Sequence, residues 1–327
     1  MRRLVLALVF VLVALGFGSG RPDTRAIRPA ATTGTLPSPR SLVAAGGAIW
    51  YPTPTGVQRI DPATNKVTAT VPIPSDCCPS IAAGAGAVWV ASFDENVVRR
   101  IDPATSKVKA TIKAGPNPAG LAATNAAVWV TEHRGGTISR IDPATNRIVA
   151  TVKVGPTGTS GPQPVAVAFG DVWVGVSNIS ALVRVDARTN RVEARIAFPS
   201  NASPCGTIIA TRSALWVAGC GEAPTIAQVN PRTNKVIAVV GVGGASGDAV
   251  IQDGKAWYGA QSVPIGSDCP CHPRLVRLEP GKNAPTAVRT LPRSILDQVG
   301  LLRAYGALWL TDPTGNTLRR FPADSLK

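Results

Sequence analysis

The sequence has little with which to do acid–base chemistry. Of 327 residues only two are histidine, His133 and His272, and there are 19 acids against 34 lysines and arginines. No glycine-rich string to cradle phosphate, no serine elbow and no zinc-protease string occurs. These absences exclude the commonest nucleotide-dependent, serine-hydrolase and zinc-protease chemistries. Sustained apolar spacing at a helical period is also missing, which excludes helical bundles and helical solenoids. Aromatic residues make up 5% of the chain, too few for the stacking platforms that hold single-stranded nucleic acid, so nucleic acid is set aside as a partner. Beyond the first twenty residues, no apolar run is long enough to cross a bilayer.

What the chain does have is a repeated sentence. Asp-Pro-Ala-Thr opens at Asp61, Asp102 and Asp142, and degraded copies open at Asp186, Asn230 and Glu279. Before each copy stands one tryptophan in an apolar triplet. Trp50, Trp89, Trp129, Trp173, Trp216, Trp257 and Trp309 are all seven of the chain, about 40 residues apart. Within a unit, short β-branched runs alternate with turn residues, as from Val128 to Val154, giving about four short strands. That period and strand count predict an all-β, seven-bladed β-propeller of four-stranded antiparallel blades. Small residues in each first strand fit seven strands crowding an axis. The last unit lacks a fourth strand, and residues 31–36 are expected to supply it and close the ring.

At the amino end, Arg2-Arg3 precede an apolar run from Leu4 to Phe17 and the small residues Gly18-Ser19-Gly20. Residues 1–20 therefore predict a signal peptide, with an uncleaved anchor as the alternative. Residues 21–29 are expected to be a polar linker and residues 30–327 a single propeller domain. The protein is then secreted, periplasmic or at the cell surface, and monomeric.

Five copies place an arginine two residues before the acid: Arg59 with Asp61, Arg100 with Asp102, Arg140 with Asp142, Arg184 with Asp186 and Arg277 with Glu279. Alternate residues of a strand share a face, so these pairs are expected to form an ion-pair ladder. The net charge is +15, and removing Arg2 and Arg3 with the signal leaves +13. Lys66, Lys107, Arg147, Arg191 and Lys235 recur just after the turn, which predicts a basic rim attractive to an anionic cell-envelope polymer.

An exported chain with six cysteines is expected to form disulfides. Cys205 and Cys220 flank two strands whose register, with Ala210 facing Leu215, would set them opposite each other. Cys77, Cys78, Cys269 and Cys271 allow three connectivities. In a propeller, the connections from second to third strand and from blade to blade emerge on one face. That connection face is expected to carry the cysteines and the ligand-face residues Glu95, Glu132, His133, Glu222, Asp268, His272 and Asp312. A Cys-x-Cys-His string from Cys269 to His272 lies in the longest insertion and is read as a disulfide-stapled loop rather than a metal site. Glu132 and His133 are the candidates for acid–base work.

Three of the repeats, Ile-Asp-Pro-Ala-Thr-Asn-Lys-Val-Thr-Ala-Thr-Val from Ile60 and its counterparts from Ile101 and Ile141, resemble the YVTN family of bacterial extracytoplasmic propellers. Trp129-Val-Thr-Glu132 is similar to the repeats of streptogramin lyases such as virginiamycin B lyase. The first resemblance implies a secreted scaffold. The second implies seven blades and a histidine and glutamates working with magnesium to open a cyclic ester by elimination. The function expected is non-catalytic binding of a ligand or protein on the cysteine-rich face or of an anionic envelope partner, with no cofactor. A metal-assisted lyase or hydrolase is the alternative.

Overall fold

A computed structural model describes residues 23–26, 31–32, 41–53, 56–74, 80–159, 161–199, 202–220, 225–242, 246–261, 273–292, 300–312 and 316–327. Seven antiparallel sheets follow one another in chain order around a ring. Blade 3 is typical: Pro118–Ala123 lies innermost, then Val128–Glu132, Thr137–Asp142 and Arg147–Lys153 outermost. The first strand of blade 7, Leu301–Ala304, packs on that of blade 1, Val43–Ala45, so the two ends of the array meet. Ala31–Thr32 pairs antiparallel with the third strand of blade 7, supplying the missing fourth strand. Asp23–Ala26, in the stretch expected to be a linker, instead adds a parallel fifth strand to the outer edge of blade 6. Covering an edge in this way removes backbone groups that other chains could pair with. Among the described residues no helix is long and apolar enough to cross a membrane.

The tryptophans explain the repeat. All seven are fully buried, and each belongs to a cluster completed by the following blade. Trp50 clusters with Val88, Val90 and Ile101 of blade 2, and Trp129 with Val172 and Val174 of blade 4. Across the closing joint, Trp309 joins Ile49 and Ile60 of blade 1. A blade cannot bury its own indole, so the ring is stable only when closed. The indole N–H is satisfied locally: Trp50, Trp89, Trp173 and Trp309 donate to the carbonyl five residues earlier at 3.0–3.1 Å.

The arginines behave differently from the expected ladder. Each lies across the strand pair from its tryptophan, and in blades 2, 3, 4 and 6 it stacks on it, with the guanidinium carbon of Arg100 5.4 Å from the Trp89 ring and that of Arg184 5.3 Å from Trp173. From there Arg100 and Arg184 reach the next blade. Arg100 donates to the carbonyl of Pro143 at 2.6 Å and to Oδ1 of Asn146 at 2.9 Å. Arg184 repeats this with Pro231 and Asn234, and its ion pair, at 2.7 Å, is with Asp171. Of the five expected pairs only Arg277 with Glu279 is an ion pair, at 3.0 Å. The acids are instead drawn into their own turns. Asp61 accepts from the amide of Ala63 at 2.7 Å, and Asp142 from that of Ala144 at 2.9 Å and the Thr145 hydroxyl at 2.8 Å. Those turn donors, led by the Ala63 and Ala144 amides, lower the acids' pKa, and the arginines add the smallest contribution. Asn65, Asn146, Asn190 and Asn234 close the turns with φ of 54–58°, a conformation asparagine tolerates better than most residues.

Candidate functional site

Glu132 ends the second strand of blade 3 and is 3% exposed. Its carboxylate enters the joint with blade 2 and is fully engaged there. It accepts from the Gly115 amide at 2.9 Å and the Ser139 hydroxyl at 2.7 Å, and the Thr137 hydroxyl donates to its other oxygen. A Cβ on Gly115 would stand 2.4 Å from the carboxyl carbon, so glycine is required for this approach. His133 is half-buried, its ring centre 6.0 Å from that of Phe93 in blade 2 and tilted 48° to it. Its Nδ1 is buried without a hydrogen-bond partner, and no hydrogen bond links it to Glu132. The two side chains proposed from sequence for acid–base work thus face different neighbours, the carboxylate the donors of its blade and joint and the imidazole the Phe93 ring.

The remaining described candidates are also tied. Glu95 pairs with Arg99 at 2.7 Å, and Arg99 donates to the Ser92 hydroxyl at 2.6 Å. Asp312, wholly buried, binds Arg319, whose Nε lies 3.0 Å from Oδ2. Ser92, Glu132 and Asp312 each stand three residues after a tryptophan, and each takes its partner from the third strand of its own blade. In blades 2, 3 and 7 this position is a polar brace at the connection end; in blades 4, 5 and 6 it is Val176, Gly219 and Ala260. Glu222, Asp268, His272, Cys77, Cys78, Cys269 and Cys271 lie outside the described residues. Cys205 is disulfide-bonded, to a cysteine whose side chain lies outside them as well. Ala210 faces Leu215, but an irregularity between Pro204 and Ile208 sets Ser203, not Cys205, opposite Cys220. Pro204 has no amide to give the ladder, and Gly206 follows it, the composition of a bulge.

Sequence reasoning passed over Asp248. It lies in the first strand of blade 6, where the signal was a lone acid among small residues. Its Oδ1 accepts from the Ala249 amide at 2.8 Å and the Thr207 hydroxyl of blade 5 at 3.2 Å, and its Oδ2 from the Leu301 amide of blade 7 at 3.3 Å. One carboxyl thus ties three blades near the axis. Burial is the largest influence on it and pushes its pKa up. Tyr258 nearby, donating to the Trp216 carbonyl at 2.8 Å, is pushed up as well, by burial and then by the Asp248 charge.

The opposite face carries the turns from first to second and from third to fourth strand. Lys66, Lys107, Arg147, Arg191 and Lys235 are all exposed there at the first position of the outermost strand, joined by Arg188 and Arg232 in the turns. Asp61, Asp102, Asp142 and Asp186 stand close by, but backbone amides of the turns occupy their carboxylates. Among the described residues no three His, Cys, Asp or Glu side chains are grouped so as to hold a metal ion.

No family model matches the sequence, and no curated protein matches it. Solved structures do. A chain of the mitotic checkpoint complex superposes with a TM-score of 0.72 at 12% identity, covering 98% of both chains. Hydrazine synthase of Kuenenia stuttgartiensis gives 0.59 at 15% identity over 71% of this chain and 73% of that one. The dihydro-heme d1 dehydrogenase NirN, in complex with DHE, gives 0.58 at 15% identity over 88% and 63%. The likeness is one of fold alone.

Proposed function

We propose that this protein is a non-catalytic binding module that holds an anionic polymer of the cell envelope along the basic rim of its turn face. The observation that carries this reading is the exposed cation that recurs at the start of each outermost strand in blades 1 to 5. The turn amides satisfy the neighbouring acids, so few of these cations have an acid partner. Where a turn acid does pair, as Asp102 does with Lys109 at 3.7 Å, the cation stands two residues further along the strand. A ladder of like charges spaced one per blade suits a repeating anion better than a compact ligand. Export and the pairing of Cys205 with Cys220 belong to the same reading, since a disulfide persists in oxidising compartments. So does membership of the YVTN class, on the residues of its turns. The lyase alternative has less support, because the Glu132 carboxylate is buried among the Gly115 amide and the Ser139 and Thr137 hydroxyls and makes no hydrogen bond to His133.

The test is retention on immobilised polyphosphate across a salt series. The native protein is expected to bind with affinity falling steeply as salt rises. Lys107→Glu, Arg147→Glu, Arg191→Glu and Lys235→Glu combined should abolish binding while leaving thermal unfolding unchanged. Retention of the quadruple variant equal to that of the native protein would overturn the reading.

A further inference from the structure

The outer edges of the blades are not protected alike. In blades 1 to 5 the pairing of third with fourth strand is irregular and leaves one residue of the fourth strand outside it: Thr68, Lys109, Val149, Glu193 and Ile237. Each of these strands also opens on an exposed cation. Irregularities that twist an edge away, and charges along it, keep a sheet from pairing with other chains. In blade 7 the outermost strand, Ala31–Thr32, is only two residues long.

Blade 6 lacks both devices. Its third and fourth strands pair one to one, from Arg274 with Thr290 to Arg277 with Ala287. The charged residue of its fourth strand, Arg289, is fully buried, with its guanidinium carbon 5.2 Å from the Trp257 ring, so it does not guard the edge. On this edge lies Asp23–Ala26, again paired one to one. The added strand covers Ala287–Thr290 and in turn presents an edge of its own, to which no further strand is paired among the described residues. A regular edge of this kind is a template for another chain.

The sequence of that strand is complementary to itself. Asp23, Thr24 and Arg25 read acid, neutral, base. Two copies laid antiparallel about a two-fold axis through Thr24 set Asp23 of each opposite Arg25 of the other, with the two threonines facing. Opposite charges and paired threonines are favourable cross-strand neighbours, whereas a parallel pairing in register would set like charges opposite each other. We propose that Asp23–Ala26 pairs in this antiparallel way with the same strand of a second copy, joining the blade 6 sheets of two propellers. The contact is isologous and closes at two copies. Four residues a side make it weak and reversible. It uses none of the turn-face cations of blades 1 to 5, so it goes beyond the rim proposed above and stands whether or not that rim holds a polyanion.

The experiment is sedimentation velocity of the full chain over a rising concentration series at low salt and without polyanion, with the species assigned by native mass spectrometry. The native protein is expected to pass from monomer to dimer and no further. Asp23→Arg and Arg25→Asp, each alone, set like charges opposite each other and should weaken dimerisation about tenfold. Mixing the two variants should restore a dimer of native strength containing one copy of each, because every opposed pair then has opposite signs. A strand merely detached from blade 6 by either substitution would not be rescued by mixing. A monomer at every concentration, a dimer of either variant as strong as the native one, or no recovery in the mixture would overturn the proposal.

Discussion

The two faces of the ring treat their charges in opposite ways. At the connection face, side chains answer side chains: Arg319 is held by Asp312, Arg99 by Glu95 and Ser92, and Glu132 by hydroxyls of its own blade and an amide at its joint. At the turn face, backbone answers side chains, because Asp61, Asp102, Asp142 and Asp186 are absorbed by turn amides. The cations that open the outermost strands beside them are exposed. A polar residue three positions after a tryptophan is therefore engaged by its own blade, whereas a basic residue five positions after a turn aspartate is exposed. Charge alone does not distinguish these roles; the partner of each charge does.

The largest predicted effect lies on the connection face. Asp312→Ala leaves the Arg319 guanidinium in a buried site without its acid and is expected to cost about 3–5 kcal/mol of unfolding free energy. Pairing it with Arg319→Met should recover much of that loss in urea denaturation, and no recovery would mean that the pair is not coupled. Glu132→Ala should cost less, about 1–3 kcal/mol, because it strands one amide and two hydroxyls rather than a charge.

Asp248 sharpens the comparison from the axis. Its folded pKa is raised, so the folded state binds more protons than the unfolded one above about pH 4. Its contribution to stability is then fullest below that pH and declines as pH rises through the folded value. Asp248→Asn should flatten this decline when unfolding is followed between pH 4 and 8.

The turn acids give the smallest effect and the opposite sign. Their folded pKa values are lowered, so their contribution is present above about pH 4 and lost as pH falls through the folded values. Asn230 already fills this role in blade 5, accepting from the Arg232 amide at 2.9 Å. Asp61→Asn, Asp102→Asn, Asp142→Asn and Asp186→Asn combined should therefore leave stability at pH 7 nearly unchanged. Acid unfolding followed by tryptophan fluorescence should shift to lower pH, and an unshifted midpoint would show that these acids do not set it.

The repeat made the ring legible. One tryptophan per unit counts the blades, and the missing outer strand of the last unit points to residues 31–36 as the closing piece, of which Ala31–Thr32 pairs with Thr317–Pro322. The candidate site was less legible. Alternation along a strand places Arg184 and Asp186 on one face, yet the arginine stacks on Trp173 and reaches across the joint to blade 5. Cys205 was set opposite Cys220 on a regular ladder, and the irregularity after Pro204 moves the register by two. Glu132 reads in sequence like any loop-end acid, and only the neighbouring Gly115 reveals that its carboxylate is buried.

Composition, the period of about 40 residues and turn chemistry are local properties, and by themselves they determined the blade, the number of blades and the order of strands within each. What the charged side chains do was decided by the tertiary structure, because the partners of Arg100 and Arg184 sit 43 to 50 residues away on the next blade and those of Glu132 and Asp312 lie across a strand pair or at a joint. Desolvation and hydrogen bonding depend on that neighbour rather than on sequence spacing, which is why the fold could be read in order and the site could not.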